Sequence, residues 1–172
     1  MSKGGVRIAI AAISMSAAAF VGVLVKEGYS EQAYPDPTYG TKVPTAGFGS
    51  TGPDVTMATR LPPVPAVQRA LRDVTAFEGN LKRCIRVPLS QGEYDAYVSV
   101  AYNIGPSAFC SSGIVRELNA GRYRQACDQI LRWRYSNGQD CSAPGNRTCS
   151  GMWKRRQAEH AACTAAAQAA GG

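Results

Sequence analysis

The amino-acid sequence predicts a mostly helical α+β fold with one small β region near its N-terminus. From Val64 to Cys84, apolar side chains recur at the three- and four-residue spacings of an amphipathic α-helix. Residues 34–53 are instead rich in proline and glycine, which favours a loop with short β-hairpins. A chain of 172 residues is long enough for one hydrophobic core or for two small lobes.

The helices that follow are placed by the residues that cap them. Ser90 and Glu93 form the S-x-x-E pattern of a capping box, which predicts a helix that ends at Gly105. Gly121 is expected to stop a short helix that begins near Gly113. The other predicted elements are a helix over 123–135, a polar loop over 137–151 and a last helix that begins near residue 152 and gives way to an alanine-rich tail.

The N-terminal segment has the pattern of an export signal. Lys3 and Arg7 precede an uncharged run over residues 8–25, which is just long enough to cross a bilayer as a helix and can continue into the next helix. The basic flank predicts that the N-terminus stays in the cytoplasm. Three fates are open: a signal peptide cleaved near Ala17 to Ala19, a permanent anchor, or an anchor that later leaves the membrane. Small residues bury little apolar area, which favours the removable anchor.

Charge and cysteine content narrow the partners and the compartment. The net charge of +7 favours an acidic partner such as nucleic acid, anionic lipid or a cell-wall polymer. The six cysteines form no C-x-x-C pair and there is one histidine, so no metal and no cofactor are expected. An even number of cysteines favours three disulfides in an oxidising compartment, with fifteen pairings open. An export signal and disulfides argue against a nucleic-acid partner. The protein is expected to be a monomer.

Three side chains form a coherent set for glycoside hydrolysis. Glu27 is expected on a helix, Asp36 in the following loop and Thr45 at the start of a β element. Cleavage of a glycosidic bond needs one carboxylic acid to protonate the leaving oxygen and a second carboxylate to position water or stabilise positive charge. A partly buried glutamate keeps its proton, an aspartate in a polar loop stays ionised, and a threonine hydroxyl can hold the water.

The motifs around these residues resemble those of a known family. The pattern E-G-x-x-x-x-A-Y-x-D, followed by T-x-G-[YF]-G, resembles the phage-type lysozymes, which are muramidases of glycoside hydrolase family 24. The similarity extends through DAYVSVAYNIG, ACDQILRW and RRQAE, and so covers residues 26 to 163. It implies a lysozyme-like two-lobed fold with a helical C-terminal lobe. It also implies that Glu27, Asp36 and Thr45 form the catalytic triad.

The resemblance implies a function as well. The chain is expected to be an endolysin that hydrolyses the β-1,4 bond between N-acetylmuramic acid and N-acetylglucosamine in peptidoglycan and so causes host cell lysis. A lytic transglycosylase and an inactive wall-binding relative are the alternatives. Asn103 lies where the family has a polar cleft residue, and Arg155 or Arg156 is expected to bind substrate or approach Glu27. Ser50 stands where many members have histidine, and it is assigned no role.

The disulfides and the membrane segment are interpreted in the same way. A removable anchor before such a domain resembles the signal-anchor-release endolysins. This implies an anchor over residues 1–25 and a catalytic domain over 26–172. The protein would be exported to the periplasm, tethered to the host inner membrane through residues 8–25 and then released.

Cys141 and Cys149 lie in one predicted loop and would close it. The family's C-terminal lobe implies the other two disulfides, Cys84–Cys163 and Cys110–Cys127.

Overall fold

The computed structural model describes residues 5–36 and 40–171, which form two compact units. Residues 17–76 form the first, which we call the hairpin unit. Residues up to 16 and from 77 onward form the second, which we call the helical unit. Most described residues are helical and the sheets are small and two-stranded, so the predicted fold class is confirmed.

The hairpin unit begins with a helix that leads into two antiparallel strands. Its elements are α1 Ala17–Glu27, β1 Ser30–Asp36, β2 Gly40–Gly47 and the first part of α2 Pro63–Cys84. Ser30 pairs with Gly47, and Tyr34 pairs with Thr45. These pairs fix which side chains of the two strands are neighbours.

The helical unit is built around helix α3. Its elements are α3 Gln91–Ile104, α4 Pro106–Cys110, α5 Gly113–Asn119, α6 Tyr123–Gln129, β3 Tyr135–Ser136, β4 Gln139–Asp140, α7 Ser150–Ala169 and the 3-10 turns Ile10–Ala12 and Ile130–Arg132. Helix α3 packs along α7 and fully buries Tyr94 and Tyr97. The predicted capping box is confirmed, since the N–H of Ser90 donates to the carboxylate of Glu93 at 2.8 Å.

Two helices end at residues other than those predicted. The helix expected over 123–135 stops at Gln129, and the chain then forms a 3-10 turn and a short hairpin. Asn137 and Gly138 both have positive φ, as a two-residue hairpin turn requires. This Asn-Gly pair is itself a hairpin signal, which the prediction of a polar loop over 137–151 did not include. The last helix continues through the alanines to Ala169, because Cys163 and Ala167 are buried in the core.

Two of the three predicted disulfides are wrong. In place of Cys84–Cys163 and Cys110–Cys127, the structure joins Cys84 to Cys110 and Cys127 to Cys163, each with Cα atoms 5.6 Å apart. The reason is that α6, which carries Cys127, packs against α7, which carries Cys163. Cys84 is then left to pair with Cys110 at the end of α4. The third disulfide is Cys141–Cys149, as predicted.

The N-terminal apolar run does not form one continuous helix. It is interrupted between Ile10–Ala12 and α1, where the N–H groups of Met15 and Ser16 donate to the carboxylates of Glu78 and Asp95 at 2.7 and 2.9 Å. These bonds satisfy main-chain groups that a helix would otherwise pair internally. Across the described residues, no helix is both long enough and apolar enough to cross a membrane.

Candidate active site

Glu27 is the last residue of α1, and the glycine that follows sets its position. Gly28 has a φ of +73°, a left-handed conformation that glycine adopts without a steric penalty. Its N–H donates to the carbonyl of Leu24 at 3.1 Å and closes the final turn of the helix. The helix therefore stops directly after the glutamate, whose side chain is half-buried.

The β-hairpin carries the other two predicted catalytic residues. Asp36 is the last residue of β1 rather than part of a loop, and it is followed by residues 37–39, which lie outside the described ranges. Thr45 lies within β2 and pairs with Tyr34 on β1. Directly paired residues of an antiparallel sheet point to the same face, so the side chains of Thr45 and Tyr34 are neighbours.

Tyr34 is a residue on which the charges of both Glu27 and Asp36 act. Burial raises the pKa of this phenol above its ordinary value, and the charges of Glu27 and Asp36 raise it further. Tyr34 also pairs with Thr45, so each of the three predicted residues interacts with this half-buried tyrosine, by charge or by strand pairing. Sequence reasoning gave Tyr34 no role, although it is the tyrosine of the A-Y-x-D motif.

The hydroxyl of Thr45 is suited to holding a small polar ligand. Thr45 is 6% exposed, and within the described part of the chain its Oγ1 has no hydrogen-bond partner. Leaving a buried hydroxyl unpaired costs about 1–3 kcal/mol, so buried hydroxyls are nearly always paired. A water molecule or a substrate oxygen at this atom would satisfy it.

A tight turn after β2 lies against the glutamate. Ala46 and Ser50 exchange two main-chain hydrogen bonds of 3.0 and 2.9 Å across this turn. Within it, Gly49 has a φ of +78°, and a Cβ at this position would lie 3.1 Å from Oε2 of Glu27. The final glycine of the T-x-G-[YF]-G motif therefore lets the main chain approach the carboxylate.

The remaining predicted residues lie in the helical unit and contact one another. Arg156 is fully buried, donates to Oδ1 of Asn103 at 3.0 Å and forms an ion pair with Glu159 at 2.9 Å. Arg155 pairs with Glu159 at 3.4 Å. Because Arg156 is fully buried, it could influence a substrate only indirectly, through its hydrogen bond to the exposed Asn103. A role for these residues in substrate binding stays a prediction.

Trp133 is half-buried and lines an open cavity of about 600 Å³ in the helical unit. Helix α6 ends before Trp133, which directly follows the 3-10 turn Ile130–Arg132. Tyr135, Arg116, Arg132 and Gln129 also line this cavity. It therefore combines aromatic faces with two cationic side chains.

Comparison with known families identifies the chain. The phage lysozyme family model matches residues 25–159, a stretch that includes Glu27, Asp36 and Thr45. The chain belongs to the phage lysozyme family. The resemblance recognised from the motifs is therefore confirmed.

Individual phage lysozyme relatives agree with this assignment. The chain is 33% identical over 134 residues to an endolysin of Bacillus phage B103, a match over 77% of this chain but only 47% of that protein. It is 27% identical to a SAR-endolysin of Bacteriophage PS119 over 90% of both chains. The endolysin from Escherichia coli O157:H7 phage FAHEc1 has a similar structure, with a TM-score of 0.72 and 27% identity over 88% of this chain and 94% of that one.

Proposed function

We propose that this chain is an endolysin that hydrolyses the β-1,4 bond between N-acetylmuramic acid and N-acetylglucosamine in bacterial peptidoglycan and thereby lyses the host cell. The family match over residues 25–159 carries the proposal. Two relatives in sequence and one solved structure with a similar fold are named as endolysins. A net charge of +7 suits an anionic wall polymer. The proposal also includes that the enzyme acts as a monomer and needs no cofactor.

Each of the three grouped residues has a distinct role in this reaction. Glu27 is the acid that protonates the leaving oxygen, and Asp36 is the carboxylate that positions water or stabilises positive charge at the sugar. Thr45 holds the attacking water, in agreement with its buried hydroxyl, which lacks a partner among the described residues. A site with a place for water favours hydrolysis over the transglycosylase alternative, which forms anhydro products.

The cavity around Trp133 suits the same substrate. Aromatic faces such as those of Trp133 and Tyr135 pack against apolar faces of sugars, and arginine binds carboxylates in a bidentate manner. Peptidoglycan carries both sugars and carboxylates. Arg116 and Arg132 therefore add a binding surface for the polymer in the helical unit.

Digestion of purified peptidoglycan by the released, oxidised protein tests the reaction, with the fragments identified by mass spectrometry. Reducing muramic ends are expected. Anhydro-muramic ends would instead establish a transglycosylase and leave Asp36 without its assigned role. An absence of fragments from folded protein would favour the wall-binding alternative.

The chain is exported to the periplasm, held at the inner membrane by residues 8–25 and then released, with residues 26–172 as its catalytic domain. The likeness to a SAR-endolysin supports this. In the tethered form Arg7 lies on the cytoplasmic flank, whereas in the structure it donates to Glu93 at 2.8 Å. The membrane would separate these two residues in a tethered chain, so their ion pair belongs to the released form. Burial of Ile13 in the core argues that release occurs without cleavage.

Membrane fractionation tests the release step. Collapse of the membrane potential should speed detachment, and replacement of Ala17, Ala18 and Ala19 by leucine should keep the protein in the membrane, because each leucine adds buried apolar area. An unchanged rate of detachment in both experiments would contradict the release proposal without bearing on the hydrolysis.

A further inference from the structure

Ser50, which stands in place of the histidine of many family members, is tied to helix α2. It is 2% exposed, and its Oγ donates to Oδ2 of Asp73 at 2.6 Å. A hydrogen bond to a carboxylate is stronger than one between neutral groups. The turn that ends at Ser50 is therefore fastened to a helix as well as to its own strand.

Asp73 is itself held by a second side chain on the same helix. Its Oδ1 accepts from Nε of Arg69 at 3.0 Å, across one helical turn. Arg69 also donates to the carboxylate of Asp54 and, at 2.9 Å, to the carbonyl of Thr51. Both oxygens of the Asp73 carboxylate are thus engaged, which fixes its orientation toward Ser50.

Two proposed catalytic residues depend on the position of Ser50. Its main-chain hydrogen bonds with Ala46 close the turn, and Ala46 directly follows Thr45 in β2. The residue before Ser50 is Gly49, whose main chain lies against the carboxylate of Glu27. A movement of Ser50 would therefore shift the support of Glu27 and the strand that carries Thr45 together.

We propose that Asp73, acting through Ser50, is a positioning residue that sets the placement of Glu27 relative to Thr45. The inference rests on the proposed function, which gives these two residues their roles. Asp73 and Ser50 need not touch the substrate. They hold the turn in the one arrangement in which the acid and the water-binding hydroxyl act on the same bond.

Kinetics on soluble peptidoglycan strands test the proposal, with thermal unfolding measured alongside. Ser50→Ala and Asp73→Ala should each lower kcat on the order of ten- to a hundredfold and leave KM within about twofold, because small displacements of reacting groups have effects of this size. The double variant should be no worse than the more impaired single variant. Ser50→Thr, which keeps the hydroxyl, should restore kcat to within about threefold of wild type.

Asp54→Ala is the matched control. It removes the other carboxylate partner of Arg69 but leaves the bond between Ser50 and Asp73 in place. Its kcat should stay within about twofold of wild type. A kcat retained in Ser50→Ala, or an equal loss in Asp54→Ala and Asp73→Ala, would overturn the proposal.

An amide NMR spectrum separates this inference from the proposed function. The Gly49 resonance should move in Asp73→Ala, which is distant in sequence, and stay in place in Asp54→Ala, whatever the activity. An inactive wild-type protein would contradict the proposed function alone, whereas an unmoved Gly49 resonance in Asp73→Ala would contradict the positioning role.

Discussion

The two units hold their side chains in place by different means. The helical unit buries large apolar residues such as Tyr94, Phe109 and Leu118, and it contains all three disulfides. In the described part of the hairpin unit, the buried apolar side chains are only those of valine and alanine. Hydrophobic stabilisation grows with the apolar area buried. The unit that carries Glu27, Asp36 and Thr45 therefore depends more on polar contacts and on glycine conformations.

The largest expected effect is the loss of activity when the proposed acid is removed from the hairpin unit. Glu27→Gln keeps the shape of the side chain but removes its acid function, so peptidoglycan cleavage should fall on the order of 10²–10⁴-fold. Reducing-end release and thermal unfolding are the measurements. Glu31→Gln on β1 is the control, because the side chain of Glu31 pairs with the exposed Arg60. Comparable loss in both variants would contradict the assignment of Glu27.

Two glycine substitutions, one in each unit, test whether the close approach of Gly49 to Glu27 is needed for activity. Gly49 and Gly121 have φ values of +78° and +75°, so alanine is strained at both positions and should reduce stability by about 1–2 kcal/mol. A Cβ at Gly121 meets nothing within 4 Å, whereas one at Gly49 lies 3.1 Å from Oε2 of Glu27. Only Gly49→Ala should therefore lower kcat, on the order of ten- to a hundredfold. Equal kcat values for the two variants would show that the close approach to Glu27 has no role.

Local patterns in the sequence predicted local features of the structure. The capping box of Ser90 and Glu93 and the helix that ends at Cys84 depend on residues close together in the chain, and both are present. The contact of Ser50 with Asp73 joins residues 23 positions apart and leaves no periodic signal. It could not be predicted because it requires the packing of the turn against α2.

The disulfides show the same limit in the helical unit. Cys141 and Cys149 lie in one loop, and their pairing follows from that proximity. The partner of Cys127 depends on which helix packs against α6, and no motif specifies it. The apolar run before α1 was also ambiguous, since apolar composition suits both a lipid-spanning helix and a segment such as Ile13 that packs into a core.

Removal of the disulfides should affect stability rather than chemistry. The bond Cys127–Cys163 spans 36 residues and Cys141–Cys149 spans 8, so the paired serine variants should lose about 4 and about 2.5 kcal/mol of unfolding free energy by the loop-entropy relation. Denaturant unfolding measures the loss, and kcat of the folded fraction should stay within about twofold. A greater loss for the shorter loop would mean that native contacts, rather than chain entropy, dominate.

The smallest expected effect concerns the N-terminal residues of the helical unit. Arg7 donates to both carboxylate oxygens of Glu93, from Nη2 at 2.8 Å and from Nε at 3.1 Å, and its guanidinium lies 3.5 Å from the centre of the Tyr123 ring. Lysine keeps the charge but lacks the planar fork and stacks less well. Arg7→Lys should therefore lower the unfolding free energy of the released protein by about 1–2 kcal/mol and leave kcat unchanged.

Retention of the charge is what makes this variant informative. Membrane orientation depends on positive charge at the cytoplasmic flank, which lysine supplies equally well, so export and tethering should proceed as in wild type. Only the contact with Glu93, which we propose to form after release, changes. Arg86→Lys in the same unit is the control, because Arg86 is exposed. If Arg7→Lys and Arg86→Lys have the same stability, the guanidinium fork of Arg7 adds little to the helical unit, and its pairing with Glu93 no longer supports the release proposal.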